Sequence, residues 1–507
     1  MRAPTSFSLL LLALIIGAAI RVEFARLAPP FLVANDSADY FTAGYTLLQT
    51  GELQISLKRT PLYSIFLAGA MSLVGPSLDR LLAIQHALGL VSIALAYLLG
   101  RLTFGSQAGA IAALAMAVNG SMLTMEHLLI TEALYTPLLL ATLVAYVAAL
   151  KIRKTPLWLL AGLLLGLGTL CRPLGFGVLL AALAVLPVTG LPRSLLLRAS
   201  GLLVIGAMLC VAPWIVRQAA VYDRPMVNGG LGDAMFSRVR RYDPTFVLRD
   251  DGRSVPEADR AIRARIFELA PQYEYPREIR AILRHEFGVS DGEADRLLRD
   301  VALTVIAQDP ARYAVGTLAM TGRLLRGSDP GLLDLWISIE RDRVRQGWPD
   351  SLTWVLATER SLDDPEAFRR ARNLLAFYRD DLWSGVAVIA LAPLGAAWAS
   401  MRGRRSGAML IPLVILSQVV LYVALDGPLF RYRFPYQPLI IVLAAGGLAL
   451  VLQQLRALWH DASTSDGSVR DADGLAERPS TTLAAVPGGT ASAATPSYAT
   501  NAGQPHR

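Results

Sequence analysis

Apolar runs of roughly 15 to 25 residues recur along the chain, each near the ~20 residues that a helix needs to cross hydrocarbon. Residues 8–25, 81–99, 107–123, 130–150, 157–169, 174–188, 195–216, 382–400, 409–425 and 435–455 are read as spans. The runs are continuous rather than alternating, which argues against a transmembrane barrel. The pattern predicts an all-α, polytopic transmembrane helical bundle of about 10–12 spans. The run 61–74 is short for a span and suits a helix lying in the interface or re-entering.

Two polar stretches interrupt this pattern. The first, 29–60, holds Asp36, Asp39, Lys58 and Arg59 between apolar segments. The second, 218–381, is rich in Arg, Asp and Glu, and its spacing predicts helices over 257–270 and 291–307 with a break at Asp309 and Pro310. The run 313–325 is apolar on one side, as in a helix lying on a bilayer. The predicted organisation is therefore a transmembrane module, 1–217, a mostly helical extracytoplasmic domain, 218–381, closing transmembrane helices, 382–456, and a tail, 457–507. From 461 onward, Ser, Thr, Ala, Gly and Pro dominate, which predicts disorder.

Charge orients the bundle. The basic clusters at 151–154, Arg193 with Arg198, and 401–405 all fall on the cytoplasmic side if the amino terminus is inside and 61–74 does not cross. The first segment reads as an uncleaved helix rather than a signal peptide; either way the loop after it faces outward. Function is expected on the outer face of a multi-pass cytoplasmic (inner) membrane protein.

Composition agrees: 54% of the 507 residues are hydrophobic and 17% charged, with a mean hydropathy of +0.44, which excludes an ordinary soluble globule. The net charge of +8 comes from an arginine excess, in which only Lys58, Lys151 and Lys154 are lysine. It reflects coding bias, and no nucleic-acid partner is expected. Cys171 and Cys210 lie in apolar stretches without ligand-like spacing and read as buried hydrophobes.

On the predicted helix after Asp36, three- and four-residue spacing puts Asp36, Asp39 and Tyr40 on one face. An Asp capping a helix explains Asp36 equally well when taken alone. Lys58 and Arg59, Glu132 at the outer end of a span, and Arg431 and Arg433 at the outer start of the last span gather on the same face. Any one cation there is explained by snorkelling; their convergence with carboxylates is not. His127 beside Glu126 lacks a second well-spaced histidine and is a poor zinc signal. No Gly-rich phosphate loop joins a strand to a helix, which argues against a nucleotide-sugar donor.

The ordered motifs NDSADY, RTPLYSIFLAG, ITEALYTPLLL, GLLLGLGTLCRP, APWIVRQ and RYRFPYQPL resemble the bacterial branch of the C-type membrane glycosyltransferases, relatives of protein O-mannosyltransferases and the lipid A aminoarabinose transferase. The resemblance covers roughly 9–455 apart from the polar region. It implies the C-type fold and a transferase that takes a sugar from a polyprenyl-phosphate donor at the outer leaflet and passes it, with inversion, to a lipid, glycan or protein acceptor.

Asp36 stands at the place of the family's proposed general base. Ser37 follows where a second acid is common, and Asp39 either replaces that acid or is structural. Glu132 matches a family position where an acid faces the same cavity; its expected role is to orient the acceptor or support the base, against a purely structural one. Lys58, Arg59, Arg431 and Arg433 suit a leaving phosphate. Tyr40 can stack on a sugar or belong to an aromatic belt; Arg172 and Arg217 sit in family-like motifs, where lipid anchoring competes with substrate binding. No cofactor is required, although Asp36, Asp39 and Glu132 have the chemistry to chelate a divalent cation.

A transporter or flippase for a lipid-linked sugar is the competing reading. It predicts ionisable residues near the bilayer midplane and two similar halves, which the sequence does not display.

Overall fold

The computed structural model describes residues 6–326 apart from 223, 244, 251, 253, 254 and 274, together with 348–358, 366, 369, 370, 373, 390–401, 408–427 and 430–473. The described part is about 81% helical. Among the described residues, β-structure is limited to one isolated parallel bridge, Phe31 with Leu128.

The amino-terminal half is built from α1 (Ser6–Leu27), α2 (Ala34–Thr50), α3 (Leu62–Val74), α4 (Leu78–Thr103), α5 (Ser106–Ala117), α6 (Gly120–Glu126), α7 (Glu132–Ile152), α8 (Thr155–Cys171), α9 (Gly175–Val185) and α10 (Arg193–Tyr222). The polar region contributes α11 (Leu231–Arg240), α12 (Glu257–Leu269), α13 (Pro276–Phe287), α14 (Asp291–Gln308), α15 (Pro310–Arg326) and the short α16 (Thr353–Thr358). After it come α17 (Ala392–Met401), α18 (Leu410–Leu425), a 3-10 turn at Phe430–Tyr436 and α19 (Gln437–Asp473). Residues 1–452 form one compact unit; the second, 453–507, is described only through Asp473, the end of α19.

Among the described residues, five helices are long and apolar enough to cross a membrane, six if a bent pair is one span; four shorter apolar helices, Leu62–Val74, Thr155–Cys171, Gly175–Thr189 and Leu410–Leu425, accompany them. The bent pair occupies the run expected to be one continuous span, 107–123. There α5 and α6 meet at 60°, because the Asn119 side chain accepts from the Met122 N–H at 2.9 Å and starts a new helix. The first part of the expected span 382–400, residues 382–389, lies outside the described residues.

Small residues bring α8 and α10 together. A Cβ on Gly162 would lie 2.5 Å from the Leu203 carbonyl oxygen, and one on Gly166 would lie 2.6 Å from that of Ala207. Only glycine permits this approach, the usual means by which helices pack when both are apolar.

The polar region has its own core, with Phe236, Ile266, Leu283 and Leu298 fully buried. Its expected helices form, and α14 opens with a capping box between Ser290 and Glu293. Buried Arg238 ties the region to α18: it donates to the Val423 carbonyl oxygen at 3.0 Å and pairs with Asp243 at 3.3 Å.

Candidate active site

The segment between α1 and α2 is fastened to the segment between α6 and α7. The Phe31 N–H donates to the His127 carbonyl oxygen and the Leu129 N–H to that of Phe31, each at 3.3 Å. Ser37 completes the seam, accepting from the Val33 N–H at 2.8 Å and donating to the Leu129 carbonyl oxygen at 2.9 Å. The serine that stands where a second acid was expected therefore sets the height of Asp36 relative to Glu132.

Asp36 lies in the first turn of α2, whose N-cap residue Val33 makes no side-chain cap. The carboxylate is committed elsewhere. Oδ1 accepts from Arg59 Nη2 and Oδ2 from Arg431 Nη1, both at 2.5 Å. Arg59 also bonds Asp39, Nε to Oδ2 at 3.0 Å, and its guanidinium sits 5.1 Å from the centre of the Tyr40 ring. The predicted shared face of Asp36, Asp39 and Tyr40 is thus the face that holds Arg59.

Electrostatics separates the two carboxylates. Burial alone would raise Asp36, but Arg59 and Arg431 outweigh it and hold the group well below the usual carboxylate range. Asp39 shares only Arg59, and there burial prevails and raises it. Burial also pushes the Tyr40 hydroxyl up to about 12, so it stays protonated and can donate a hydrogen bond.

A second cluster adjoins the first. Glu132, at the start of α7, pairs with Arg172 at 2.6 Å and accepts from Thr131 Oγ1 at 2.9 Å. Arg172, at the end of α8, donates Nε to the Tyr422 hydroxyl at 2.6 Å. The Tyr432 ring is flanked by Arg172 at 5.5 Å and Arg431 at 5.6 Å, and it stacks on Tyr422 at 4.3 Å. Three carboxylates, Asp36, Asp39 and Glu132, and three guanidiniums, Arg59, Arg172 and Arg431, thus form two adjoining clusters that meet at the Tyr422 and Tyr432 rings of α18 and the 3-10 turn.

Three expected site residues lie elsewhere. Arg433 is 3% exposed and donates to Gln437 Oε1 at 2.9 Å; in a 3-10 helix, with three residues per turn, positions 431 and 433 face different ways. Arg217 donates to the Leu53 carbonyl oxygen at 3.0 Å, lies 4.9 Å from the Trp214 ring centre and lines a cavity of about 650 Å³ with residues 52–56 and Tyr222. Lys58 pairs with Asp233 of α11 rather than joining Arg59.

One cluster was missed in the sequence. Arg21 of α1 makes a bidentate pair with Glu126, 2.7 Å at each arm; His86 of α4 contacts Glu126 at 3.2 Å and His127 at 3.0 Å, and His127 Nε2 reaches the Pro29 carbonyl oxygen at 2.9 Å. Its signal was Arg21 inside an apolar run, which reads as the end of the run until Glu126 is brought beside it.

The donor set does not fit a divalent cation. Both Asp36 oxygens are engaged by guanidiniums, and among the described residues no three His, Cys, Asp or Glu side chains group to hold one.

No curated protein matches the chain in sequence. Among solved structures, the chain is similar to the archaeal oligosaccharyltransferase AglB from Archaeoglobus fulgidus in complex with an inhibitory peptide and a dolichol-phosphate, at 14% identity and a TM-score of 0.47 over 94% of this chain and 52% of that one. It is also similar to ArnT from Cupriavidus metallidurans bound to undecaprenyl phosphate, at 16% identity and a TM-score of 0.39 over 86% and 77%. A third similarity is to the S. cerevisiae protein O-mannosyltransferase Pmt1-Pmt2 complex bound to the sugar donor, at 15% identity and a TM-score of 0.35 over 50% and 38%. The chain spans about half the length of the oligosaccharyltransferase chains it matches. Residues 58–216, which carry Arg59, Glu132 and Arg172, match the family model described as dolichyl-phosphate-mannose-protein mannosyltransferase. The similarity to that family is therefore carried by residues 58–216, the part of the chain that contributes Arg59, Glu132 and Arg172 to the clusters described above.

Proposed function

We propose that the protein transfers a sugar from a polyprenyl-phosphate-linked donor to an acceptor hydroxyl, with inversion, at the outer face of the cytoplasmic membrane, and that Asp36 is the general base. The observation that carries this reading is one carboxylate held between two arginines, Arg59 and Arg431. A glycosyl phosphate leaves as an anion, and guanidiniums in a dry site are well suited to stabilise it.

In the resting site Asp36 occupies the place of that anion, which keeps both arginines oriented at the expense of its own basicity. When the donor phosphate enters, the arginines turn toward it and Asp36 regains proton affinity. The acceptor oxygen then attacks the anomeric carbon as the bond from that carbon to the phosphate oxygen breaks. The hydroxyl proton passes to Asp36, and the polyprenyl phosphate leaves with the electron pair. Glu132, oriented by Arg172 and Thr131, supports the acceptor side. The arginines supply the positive charge, so this reading needs no metal cofactor. The family model matched by residues 58–216, and the lipid phosphates in two of the similar structures, support a donor of this class.

The test is turnover of a panel of polyprenyl-phosphate sugars by purified protein in detergent, beside Asp36→Asn. Release or transfer that depends on Asp36 is the expected result. Undiminished transfer in Asp36→Asn removes it as base; no turnover of any donor by folded wild-type protein overturns this donor class.

A further inference from the structure

Lys58 and Arg59 are neighbours that point to different partners. Arg59 reaches α2, where it holds Asp36 and Asp39. Lys58 forms an ion pair with Asp233 in the first turn of α11, and the same carboxylate faces Arg280 of α13 at 3.2 Å. The Asp233 N–H donates to Asp295 of α14 at 3.0 Å, so three helices of the polar region converge on the group that holds Lys58.

The backbone is fastened at the same point. The Gly229 N–H donates to the Leu57 carbonyl oxygen at 2.8 Å, and Asn228 Nδ2 to that of Lys58 at 3.3 Å. A Cβ on Gly229 would lie 2.5 Å from Leu57 Cγ, so the 228–230 segment rests directly on residues 57 and 58. The turn closes with the Arg59 N–H donating to the Ser56 carbonyl oxygen at 2.9 Å.

We propose that Lys58 and Asp233 form a clasp through which the polar helical region sets the orientation of Arg59 toward Asp36, making both of them positioning residues rather than ligands of the donor phosphate. This proposal rests on the transferase reading for its kinetic consequence but not for its structural one. Residues 57 and 58 are gripped from one side and Arg59 is committed on the other, so a shift of α11 moves the guanidinium directly. The Lys58 ammonium is also committed to the buried Asp233 carboxylate, whereas a phosphate ligand would keep its charge available to the donor.

Two measurements on the full chain test it. Hydrogen–deuterium exchange needs no substrate: Asp233→Asn should speed exchange of the amides in 52–60 while those of α7 and α8 stay at wild-type rates. Unchanged exchange in 52–60 overturns the clasp even if the enzyme is active. In steady-state kinetics, Lys58→Met and Asp233→Asn should each lower kcat on the order of tenfold, short of the ~10²-fold that a 1 Å misplacement can produce, with donor KM near wild type. The double variant should lose no more than either single one, and Lys58→Arg, which keeps the charge, should recover most of the rate. A raised donor KM in Lys58→Met, with Asp233→Asn kinetically silent, makes Lys58 a phosphate ligand and overturns the proposal.

Discussion

Asp36 and Arg431 stand 395 positions apart in the chain, yet Nη1 of Arg431 donates to Oδ2 of Asp36 at 2.5 Å. This bond ties the start of α2 to the 3-10 turn before the last helix, two segments far apart in the chain.

In the proposed mechanism, replacing Asp36 by Asn removes the proton acceptor while keeping the side chain's size. Transfer should fall by roughly 10²–10⁴-fold, with gel-filtration behaviour unchanged. Asp39→Asn, which touches only Arg59, should lose less. An Asp39→Asn variant more impaired than Asp36→Asn would move the base to Asp39, whose carboxyl is the more proton-avid of the two in the resting site.

Arg431→Gln and Arg433→Gln should part company. Arg431 faces Asp36, so its loss should weaken binding of polyprenyl phosphate, measured by titration in detergent. Arg433 is buried against Gln437, so its loss should lower thermal stability and leave ligand affinity near wild type. Equal weakening of affinity in both variants would contradict the placement of the 3-10 turn.

Asp36 also makes stability depend on pH. Its folded pKa is depressed below the ordinary value of 3.8, so its contribution is fully present above that value and is lost as pH falls below it toward the folded pKa. Asp39, raised by burial, acts in the opposite sense. The difference in thermal midpoint between wild type and Asp36→Asn isolates the first effect; a difference that grows on acidification would contradict it.

Lys58 offers a chemical readout. Burial, with Arg280 and Arg59 nearby, lowers its ammonium pKa from 10.5 to about 8, against the pull of Asp295 and Asp39. The unfolded chain therefore binds more protons between those values, and the Lys58 contribution to stability rises with pH across that window. Acylation by an amine-selective reagent, followed by peptide mapping over a pH series, should show Lys58 half-reactive near pH 8. A midpoint at the free-amine value would show that the burial is absent in solution.

Glu126→Gln tests the cluster beneath the seam. Arg21 is buried and would lose its carboxylate partner. Breaking a buried pair on one side costs about 3–5 kcal/mol, which thermal unfolding in detergent should register as a large drop in midpoint. A midpoint at wild-type level would mean that solvent reaches Arg21.

Much of this was legible in the residues. Apolar run length named the helices α1, α4, α7 and α10 to within a few positions, because crossing hydrocarbon constrains length and composition together. Three- and four-residue spacing put Asp36, Asp39 and Tyr40 on one face, and that face binds Arg59. The bend between α5 and α6 was missed because Asn119 competes for a single backbone N–H, an effect too local to alter the hydropathy of the run. Lys58 and Arg433 were grouped with Arg59 and Arg431 because adjacent cations look equivalent in a list of letters.

By itself, then, the sequence determined a helical membrane chain with one face on which ionisable residues gather, since periodicity and hydropathy are properties of neighbours. Tertiary structure decided which of those residues meet. Asp36 chose Arg431 across 395 positions, Glu132 chose Arg172, and Lys58 left the cluster for Asp233. Each choice depends on where a side chain points after whole helices have packed. An ion pair acts over a few ångströms, so no pattern of spacing along the chain encodes it.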